Sequence, residues 1–125
     1  MSRPANPLGR QGEEIACAYL LRHGYRVLAR NYRTRQAEVD IVAEEGGELV
    51  FVEVKTRRGR NCGHPLEAVT PAKCRHLSMA ALHYLSQTGK HDQPARFDVV
   101  AVSLGDNGGH EVELVRNAFD LSYGT

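Results

Sequence analysis

A hairpin pattern in residues 37–58 constrains the fold of this chain more than any other part of its sequence. The segment reads AEVDIVAEEGGELVFVEVKTRR, in which two apolar runs flank a Gly-Gly pair. Two glycines between such runs form a favourable hairpin turn, so the pattern predicts two antiparallel strands. Asp40, Glu53 and Lys55 nevertheless lie inside these strands. The charges must therefore be balanced within the fold or used by it.

The turn determines which residues of the two strands face each other. With the two glycines as the turn, Asp40 is opposite Glu53 and Glu38 is opposite Lys55. Glu53 and Lys55 are two residues apart, so they share a face of their strand. The register therefore predicts one charged patch of Asp40, Glu53 and Lys55, with Glu38 as a cross-strand ion-pair partner of Lys55. A turn with an odd number of residues would instead put Asp40 and Glu53 on opposite faces.

The remaining sequence predicts one α/β domain around this hairpin. A chain of 125 residues is long enough to bury a core without disulfides or metals. We expect a flexible tail and helix start in residues 1–8, the domain in residues 9–120 and a tail in residues 121–125. Periodicity and turn residues predict the element order α-β-β-β-α-β-β, which is typical of a mixed sheet with flanking helices.

Start and stop signals delimit the two predicted helices. They are Asn6, Pro7 and Gly24 for the first helix, and Thr70, Pro71, Thr88 and Gly89 for the second. Apolar positions of the second helix that recur at helical spacing are expected to pack on the sheet: Leu77, Ala80, Ala81, Tyr84 and Leu85. In the hairpin, the apolar residues predicted to share one face are Val39, Ile41, Val50, Val52 and Val54.

Composition narrows the functional class. No apolar run is long enough to span a membrane, and three cysteines do not form a disulfide framework, so we expect a cytoplasmic protein. The net charge of +1 does not by itself indicate a nucleic-acid binder. Arginines are nevertheless concentrated in residues 22–35 and in KTRRGR at residues 55–60. This distribution fits either a local basic surface or a solvated face.

The charged patch of the hairpin has two interpretations. Two carboxylates beside an apolar core cannot both ionise cheaply. A divalent cation would balance Asp40 and Glu53, because Mg²⁺ prefers carboxylate and water ligands. Lys55 would add a positive charge beside it, and this combination is what phosphodiester hydrolysis requires. The alternative is a salt-bridge cluster in which Lys55 neutralises the acids.

Basic residues near the patch are candidates for phosphate contacts. Arg57 and Arg58 directly follow the charged strand and could position a nucleic-acid backbone. Lys73, Arg75 and His76 lie in the first turns of the second helix, near the end that a phosphate could approach. A solvated helix end is the alternative for these three residues.

A zinc site is a weaker alternative in another part of the chain. Cys62, His64, Cys74 and His76 are residues of the types that bind zinc. One residue between paired ligands is fewer than common zinc modules use, and residues two apart on a helix point away from each other. Cys17 and Cys74 are instead expected to be small core residues.

An ordered set of motifs resembles the YraN-like uncharacterised bacterial family. The motifs cover about residues 9–120 and read GEEIACAYLLRHGYRVLARNYR, AEVDIVA, LVFVEVKTRR, AVTPAK and RFDVVAV. The EVD and FVEVK segments resemble the PD-(D/E)XK nuclease signature, and the family is similar to archaeal Holliday-junction resolvases in its core.

The resemblance implies a restriction-endonuclease-like core with Asp40, Glu53 and Lys55 at the nuclease positions. Glu13 matches an acid that the resolvases carry on a helix over the metal, so it is a further catalytic and metal-binding candidate. Its alternative role is a favourable interaction with the N-terminal half of its own helix. Lys73 falls where the family often has lysine, which implies contact with nucleic acid.

These features together predict a Mg²⁺- or Mn²⁺-dependent endonuclease that hydrolyses DNA phosphodiester bonds, with branched DNA as one candidate substrate. The alternative is a catalytically inactive nucleic-acid-binding or scaffold protein with the same fold. The presence of all three hairpin charges favours the enzyme. DNA is the expected partner, no membrane is expected, and resolution of a junction would favour a two-fold homodimer.

Overall fold

A computed structural model of the chain describes residues 7–35, 37–59 and 63–120, without the side chain of Ala68. The helices are α1 (Pro7–Arg22) and α2 (Pro71–Thr88), and a short 3-10 helix covers Pro65–Ala68. The strands are β1 (Arg26–Arg33), β2 (Glu38–Glu45), β3 (Glu48–Arg58), β4 (Ala95–Leu104) and β5 (His110–Phe119). The predicted order α-β-β-β-α-β-β is confirmed. Residues 1–6 of the predicted tail and helix start at residues 1–8, which include Asn6, lie outside the described residues, as does the predicted tail at residues 121–125.

The five strands form one mixed sheet in the order β1-β2-β3-β4-β5. Neighbouring strands are antiparallel except for β3 and β4, which are parallel. A parallel pair needs a crossover connection, and here the connection carries α2. The chain is thus an α/β protein, consistent with the predicted nuclease-like core.

The two helices cover opposite faces of the sheet because β3 is apolar on both faces. On one face, Ala16 and Leu20 of α1 pack with Val50 and Val52. On the other face, the α2 residues pack with Leu49 and Phe51 of β3. The residues of α2 predicted to pack on the sheet are all buried: Leu77, Ala80, Ala81, Tyr84 and Leu85.

A glycine in α1 lets the helix approach β3 closely. A Cβ atom on Gly12 would lie 1.8 Å from Oγ1 of Thr56, so a larger residue would require the helix or the strand to shift. This contact places the first turns of α1 beside the end of β3 that carries the charged residues.

The boundaries of α2 agree with the sequence signals. The hydroxyl of Thr70 accepts a hydrogen bond from the backbone N–H of Lys73 at 3.2 Å, and Pro71 follows it. Gly89 ends the helix in the left-handed conformation, with φ of 69°. Within the described residues, no helix is both long and apolar enough to span a bilayer.

The predicted register of the hairpin is confirmed along its paired part. Pairing runs from Glu45 opposite Glu48 to Ile41 opposite Val52. The predicted opposition of Asp40 and Glu53 lies one step beyond the last of these pairs. The two strands therefore separate where the charged residues begin.

The prediction that Val39 shares a face with Ile41 is wrong. Ile41 packs in the cluster on the α1 face, whereas Val39 packs in the cluster on the α2 face. Alternation along β2 is thus broken at Asp40, between these two residues. The break has a physical cause, because β2 stops following β3 at this point and follows β1 alone, with Val39 opposite Tyr32.

Candidate active site

Asp40 lies where β2 leaves β3, and its side chain takes over part of the lost pairing. Its Oδ2 atom accepts a hydrogen bond from the backbone N–H of Val54 at 2.8 Å. A buried backbone N–H needs a partner, and the carboxylate supplies it. Asp40 is 8% exposed, so this contact holds the carboxylate firmly beside β3.

Glu53 is the second buried carboxylate, and its ion-pair partner is Lys73. The Nζ atom of Lys73 lies 2.5 Å from Oε2 of Glu53. Lys73 belongs to the first turn of α2, so this contact joins the helix to the sheet. The salt-bridge interpretation predicted Lys55 in this role, and the structure places Lys73 there instead.

The two carboxylates lie close enough to affect each other's ionisation. Burial, followed by repulsion from Glu53, raises the pKa of Asp40 well above its ordinary value. Burial also raises the pKa of Glu53, although Lys73 and a hydrogen bond with Asp40 act in the opposite direction. The pair therefore favours holding a proton or a cation between its carboxylates. The predicted convergence of these two residues is thus present in the structure.

Lys55 completes the predicted patch from the exposed side. It is exposed on β3, and its positive charge acts to lower the pKa of Glu53. Asp40, Glu53, Lys55 and Lys73 all line one open cleft of about 640 Å³. A surface cleft of this size can admit a segment of a large ligand while its wall holds two buried acids.

Glu13 lines the same cleft but is held by a different contact. Its Oε1 atom accepts a hydrogen bond from Nδ2 of Asn31 at 3.0 Å. Its charge contributes to raising the pKa of Asp40. Across the residues that the structure describes, however, no cluster of three or more His, Cys, Asp or Glu side chains is arranged to hold a metal. Glu13 is therefore near Asp40 and Glu53 without joining them in a three-ligand group.

Glu38 lines the same cleft as its predicted partner Lys55, but its ion pair is with Arg33. It is opposite Arg33 of β1, and its Oε2 atom is 2.6 Å from Nη2 of Arg33. The expected cross-strand pair with Lys55 depended on the hairpin pairing continuing to Glu38. That pairing ends at Ile41, and β1 supplies the ion-pair partner.

The two arginines that were predicted to follow the charged strand are its last two residues, and they differ in their surroundings. Arg57 donates from Nη1 to the backbone carbonyl of Gly63 at 2.8 Å, so it supports the segment that follows β3. Arg58 is exposed at the end of the strand.

The zinc ligands suggested by the sequence are only partly described. Cys62 lies outside the described residues. Cys74 is half-buried in α2, and burial raises the pKa of its thiol, whereas His76 is exposed and lines the cleft with Lys73. Cys17, expected in the core, is half-buried against it.

The link between Lys73 and Glu53 is the contact that sequence reasoning missed. A signal for it exists in the order of the elements. In a β-α-β crossover, the helix begins near the carboxyl end of the first strand. The first turn of α2 had therefore to lie near the end of β3, where Glu53 and Lys55 are found.

The fold and the cleft define an α/β protein with two buried carboxylates and two lysines at one end of a mixed sheet. Residues 12–102 match the profile of UPF0102, an uncharacterised protein family. A UPF0102 protein of Pelobacter propionicus is 54% identical over 125 residues, which cover 98% of this chain and 89% of the relative. A UPF0102 protein of Symbiobacterium thermophilum is 51% identical over 112 residues, which cover 90% and 95%. This chain belongs to the UPF0102 family, which confirms the predicted YraN-like relationship.

Proposed function

We propose that this protein is a Mg²⁺- or Mn²⁺-dependent endonuclease that hydrolyses DNA phosphodiester bonds, with branched DNA as a candidate substrate. One observation carries the proposal. Asp40 and Glu53 are buried together in the wall of an open cleft, and the pKa of each is raised. A pair of acids kept in this state is costly to the fold, and such pairs are typical of sites that bind cations or transfer protons.

The side chains fit a small divalent cation in their chemistry. Asp40 and Glu53 would hold it, and Glu13, which lines the same cleft, is a further candidate. Mg²⁺ characteristically uses one or two carboxylates and retains several waters, so two acids are enough for it. When bound, the cation would supply an activated water and a counter-charge for the phosphate.

The remaining groups of the site have roles that follow from their positions. The hydrogen bond from Val54 fixes the carboxylate of Asp40 against β3. Lys55 is exposed to the cleft and shares a strand with Glu53, so its ammonium can orient a water and offset charge that develops on the phosphate.

Basic residues around the cleft are suited to hold the DNA backbone. Arg58 and Lys73 carry the predicted contacts with phosphates, and neither contact selects a base sequence. Arg57 is assigned a smaller share because it also supports Gly63. If the substrate is a four-way junction, two symmetric cuts favour a two-fold homodimer.

A non-enzymatic function is the second candidate, and one observation favours it. Glu53 is already neutralised by Lys73, and the described part of the chain contains no group of three metal-binding side chains. A scaffold or nucleic-acid-binding protein with this fold could keep the ion pair as a structural contact between α2 and the sheet.

A cleavage screen separates the two functions. Branched, linear and single-stranded DNA, together with RNA, are incubated with purified protein and Mn²⁺, and parallel reactions contain EDTA. We expect cleavage with Mn²⁺ that EDTA abolishes. Glu53→Gln should remove both cleavage and Mn²⁺ binding, whereas Glu113→Gln on the exposed side of β5 is the matched control. Absence of cleavage across the whole screen would favour the scaffold.

A further inference from the structure

The ion pair between Glu53 and Lys73 joins one fixed side chain to one accessible side chain. The Glu53 side chain is 8% exposed, whereas the Lys73 side chain is 46% exposed. Their charged atoms are 2.5 Å apart. The carboxylate is thus held by the sheet, while the ammonium lies at the surface of the cleft and is able to leave.

Lys73 occupies a position that its own helix does not favour. It is the third residue of α2, and the first turn of the helix contains no acid. The N-terminus of a helix carries partial positive charge, which disfavours a cation and attracts an anion. Glu53 therefore stabilises Lys73 in this place, and a phosphate at the same helix end would be attracted by both the helix and the lysine.

We propose that Lys73 is an exchangeable counter-ion, which neutralises Glu53 in the metal-free protein and transfers to a substrate phosphate when a divalent cation takes Glu53. The inference rests on the proposed metal-dependent function and assigns Lys73 to the order of binding. Its flexible four-carbon stem allows the ammonium to change partner while α2 stays in place.

The exchange makes the metal and the phosphodiester cooperative. A cation on Glu53 releases Lys73 for a phosphate, and a phosphate on Lys73 releases Glu53 for a cation. Because coupling between two sites is reciprocal, each ligand must increase the affinity for the other by the same factor. A lysine that only contacts phosphate would not compete with the metal in this way.

Calorimetric titration with Mn²⁺ alone tests the competition. The chain has three lysines, Lys55, Lys73 and Lys90, so matched replacements are available. Lys73→Met should bind Mn²⁺ roughly tenfold more tightly than wild type, which corresponds to about 1.4 kcal/mol. Lys55→Met should show a smaller increase, because Lys55 acts on Glu53 through space. Lys90→Met, beyond the C-terminal end of α2, should match wild type.

Titration in the presence of a cleavage-resistant phosphorothioate duplex tests the coupling. The duplex should tighten Mn²⁺ binding to wild type several-fold more than to Lys73→Met, in which only the attraction between the cation and the phosphate links the two ligands. Lys73→Gln, which keeps a hydrogen-bond donor for Glu53, is a second variant in case the methionine protein does not fold, and thermal melting reports on folding.

The possible outcomes separate this inference from the proposed function. If wild type binds Mn²⁺ and cleaves DNA, but Lys73→Met binds Mn²⁺ no more tightly than wild type or Lys55→Met, the exchange is wrong and the nuclease stands. If no variant binds Mn²⁺ and wild type does not cleave, both proposals fail. Tighter Mn²⁺ binding by Lys73→Met, together with a weaker effect of the duplex on that binding, supports the exchange.

Discussion

Two clusters of buried charge lie on the same sheet, and they differ in how far their charges are balanced. Near the Gly-Gly turn of the hairpin, Arg96 and Asp98 of β4 are 7% and 0% exposed and share a network with Tyr25. At the cleft end, Asp40 and Glu53 are almost equally buried but carry the same sign of charge. The two clusters are therefore similarly buried, but one pairs opposite charges and the other holds two like charges together.

In the cluster near the Gly-Gly turn, each charged group has several partners. Arg96 donates to Glu48 at 2.7 Å and to Glu45 at 2.8 Å, in addition to Asp98. The hydroxyl of Tyr25 donates to Asp98 at 2.8 Å, and burial together with this contact raises the pKa of Tyr25 to about 12. Such a network joins the residue before β1 to the hairpin and β4, and it leaves little capacity for an external ligand.

The contrast shows which buried charges belong to architecture and which belong to a site. A buried ion pair with complete partners contributes to a specific fold, and it is costly to break. Two buried acids that share one lysine remain costly until a cation or a proton arrives. The difference in balance, more than burial itself, marks the Asp40–Glu53 end of the sheet as the place for a ligand.

The greatest loss of stability is expected from a substitution in the cluster of Arg96 and Asp98. Asp98→Ala removes the fully buried acid that accepts hydrogen bonds from Arg96, from Tyr25 and from the backbone N–H of Asn117, so it should lower the free energy of unfolding by roughly 3–5 kcal/mol. Urea denaturation at pH 7 measures the change. Asp106→Ala, at an exposed turn, is the control and should stay within about 0.5 kcal/mol of wild type. A loss for Asp98→Ala as small as that of the control would remove the contrast between the two clusters.

The second effect concerns catalysis at the unbalanced site. Lys55→Ala should lower single-turnover cleavage by roughly two to three orders of magnitude, the usual size for losing one aimed electrostatic donor. DNA binding and Mn²⁺ binding should remain, because Lys55 is neither a metal ligand nor the main source of basic charge. Lys90→Ala is the matched control. Equal rates for wild type and Lys55→Ala would show that Lys55 has no part in the chemistry.

Local sequence signals predicted most of the fold. The Gly-Gly turn determined the register of the hairpin, and Thr70 and Gly89 determined the limits of α2, because turns and caps depend on neighbouring residues alone. The predicted face of Val39 was wrong, and the pattern of neighbouring residues could not have shown this. β2 separates from β3 at Asp40 and continues beside β1, and this choice depends on contacts across the sheet.

The two acids of the candidate site could be predicted from the sequence, but the ion-pair partner of Glu53 could not. Asp40 and Glu53 were identified from charges inside apolar strands, and the structure brings them together. Lys73 was considered for phosphate contact, but its ion pair with Glu53 joins residues twenty positions apart through a crossover helix. The network of Arg96 and Asp98 was also missed, since the apolar run of β4 predicts a buried strand without showing which residues pair with its charges.

The repulsion between Asp40 and Glu53 should also be measurable in the stability of the protein. Asp40→Asn removes one of two like charges and keeps an oxygen that can accept the hydrogen bond from Val54. It should raise the free energy of unfolding of the metal-free protein by up to about 1 kcal/mol near neutral pH. Mn²⁺ should raise the melting temperature of wild type by mass action, and this response should be weaker in the variant. A destabilised Asp40→Asn protein, with no Mn²⁺ response in wild type, would support the salt-bridge interpretation.

The pH dependence of that effect has a definite sign. The pKa of Asp40 is raised above its ordinary value of 3.8 in the folded chain, so folded protein keeps a proton that unfolded protein has released. The stabilisation from this proton is complete below the ordinary pKa and is lost as the pH rises through the raised pKa. Denaturation at several pH values should therefore show a decline in this window for metal-free wild type and a flatter curve for Asp40→Asn. Parallel curves would mean that Asp40 ionises alike in both states.

A last and smaller difference is expected between two adjacent arginines, because their side chains differ in exposure. Arg57 already supports Gly63, whereas Arg58 is exposed at the end of β3. Each lost phosphate contact lowers the slope of log affinity against log salt by about one unit. Arg58→Ala should therefore reduce the slope by about one. Arg57→Ala should change it less and should instead cost roughly 1 kcal/mol of stability through the lost hydrogen bond.

Binding of a fluorescent duplex to each arginine variant over a range of salt concentrations measures these slopes, with Ca²⁺ in place of Mg²⁺ to limit cleavage. The double variant distinguishes the assignments, because two phosphate contacts predict a change of about two units and one contact predicts about one. A slope unchanged in Arg58→Ala would remove this residue from the DNA-binding surface. If Arg57→Ala lowers the slope by a full unit and leaves stability unchanged, Arg57 exchanges its contact with Gly63 for a phosphate. An internal hydrogen bond would then not prevent a residue from binding DNA.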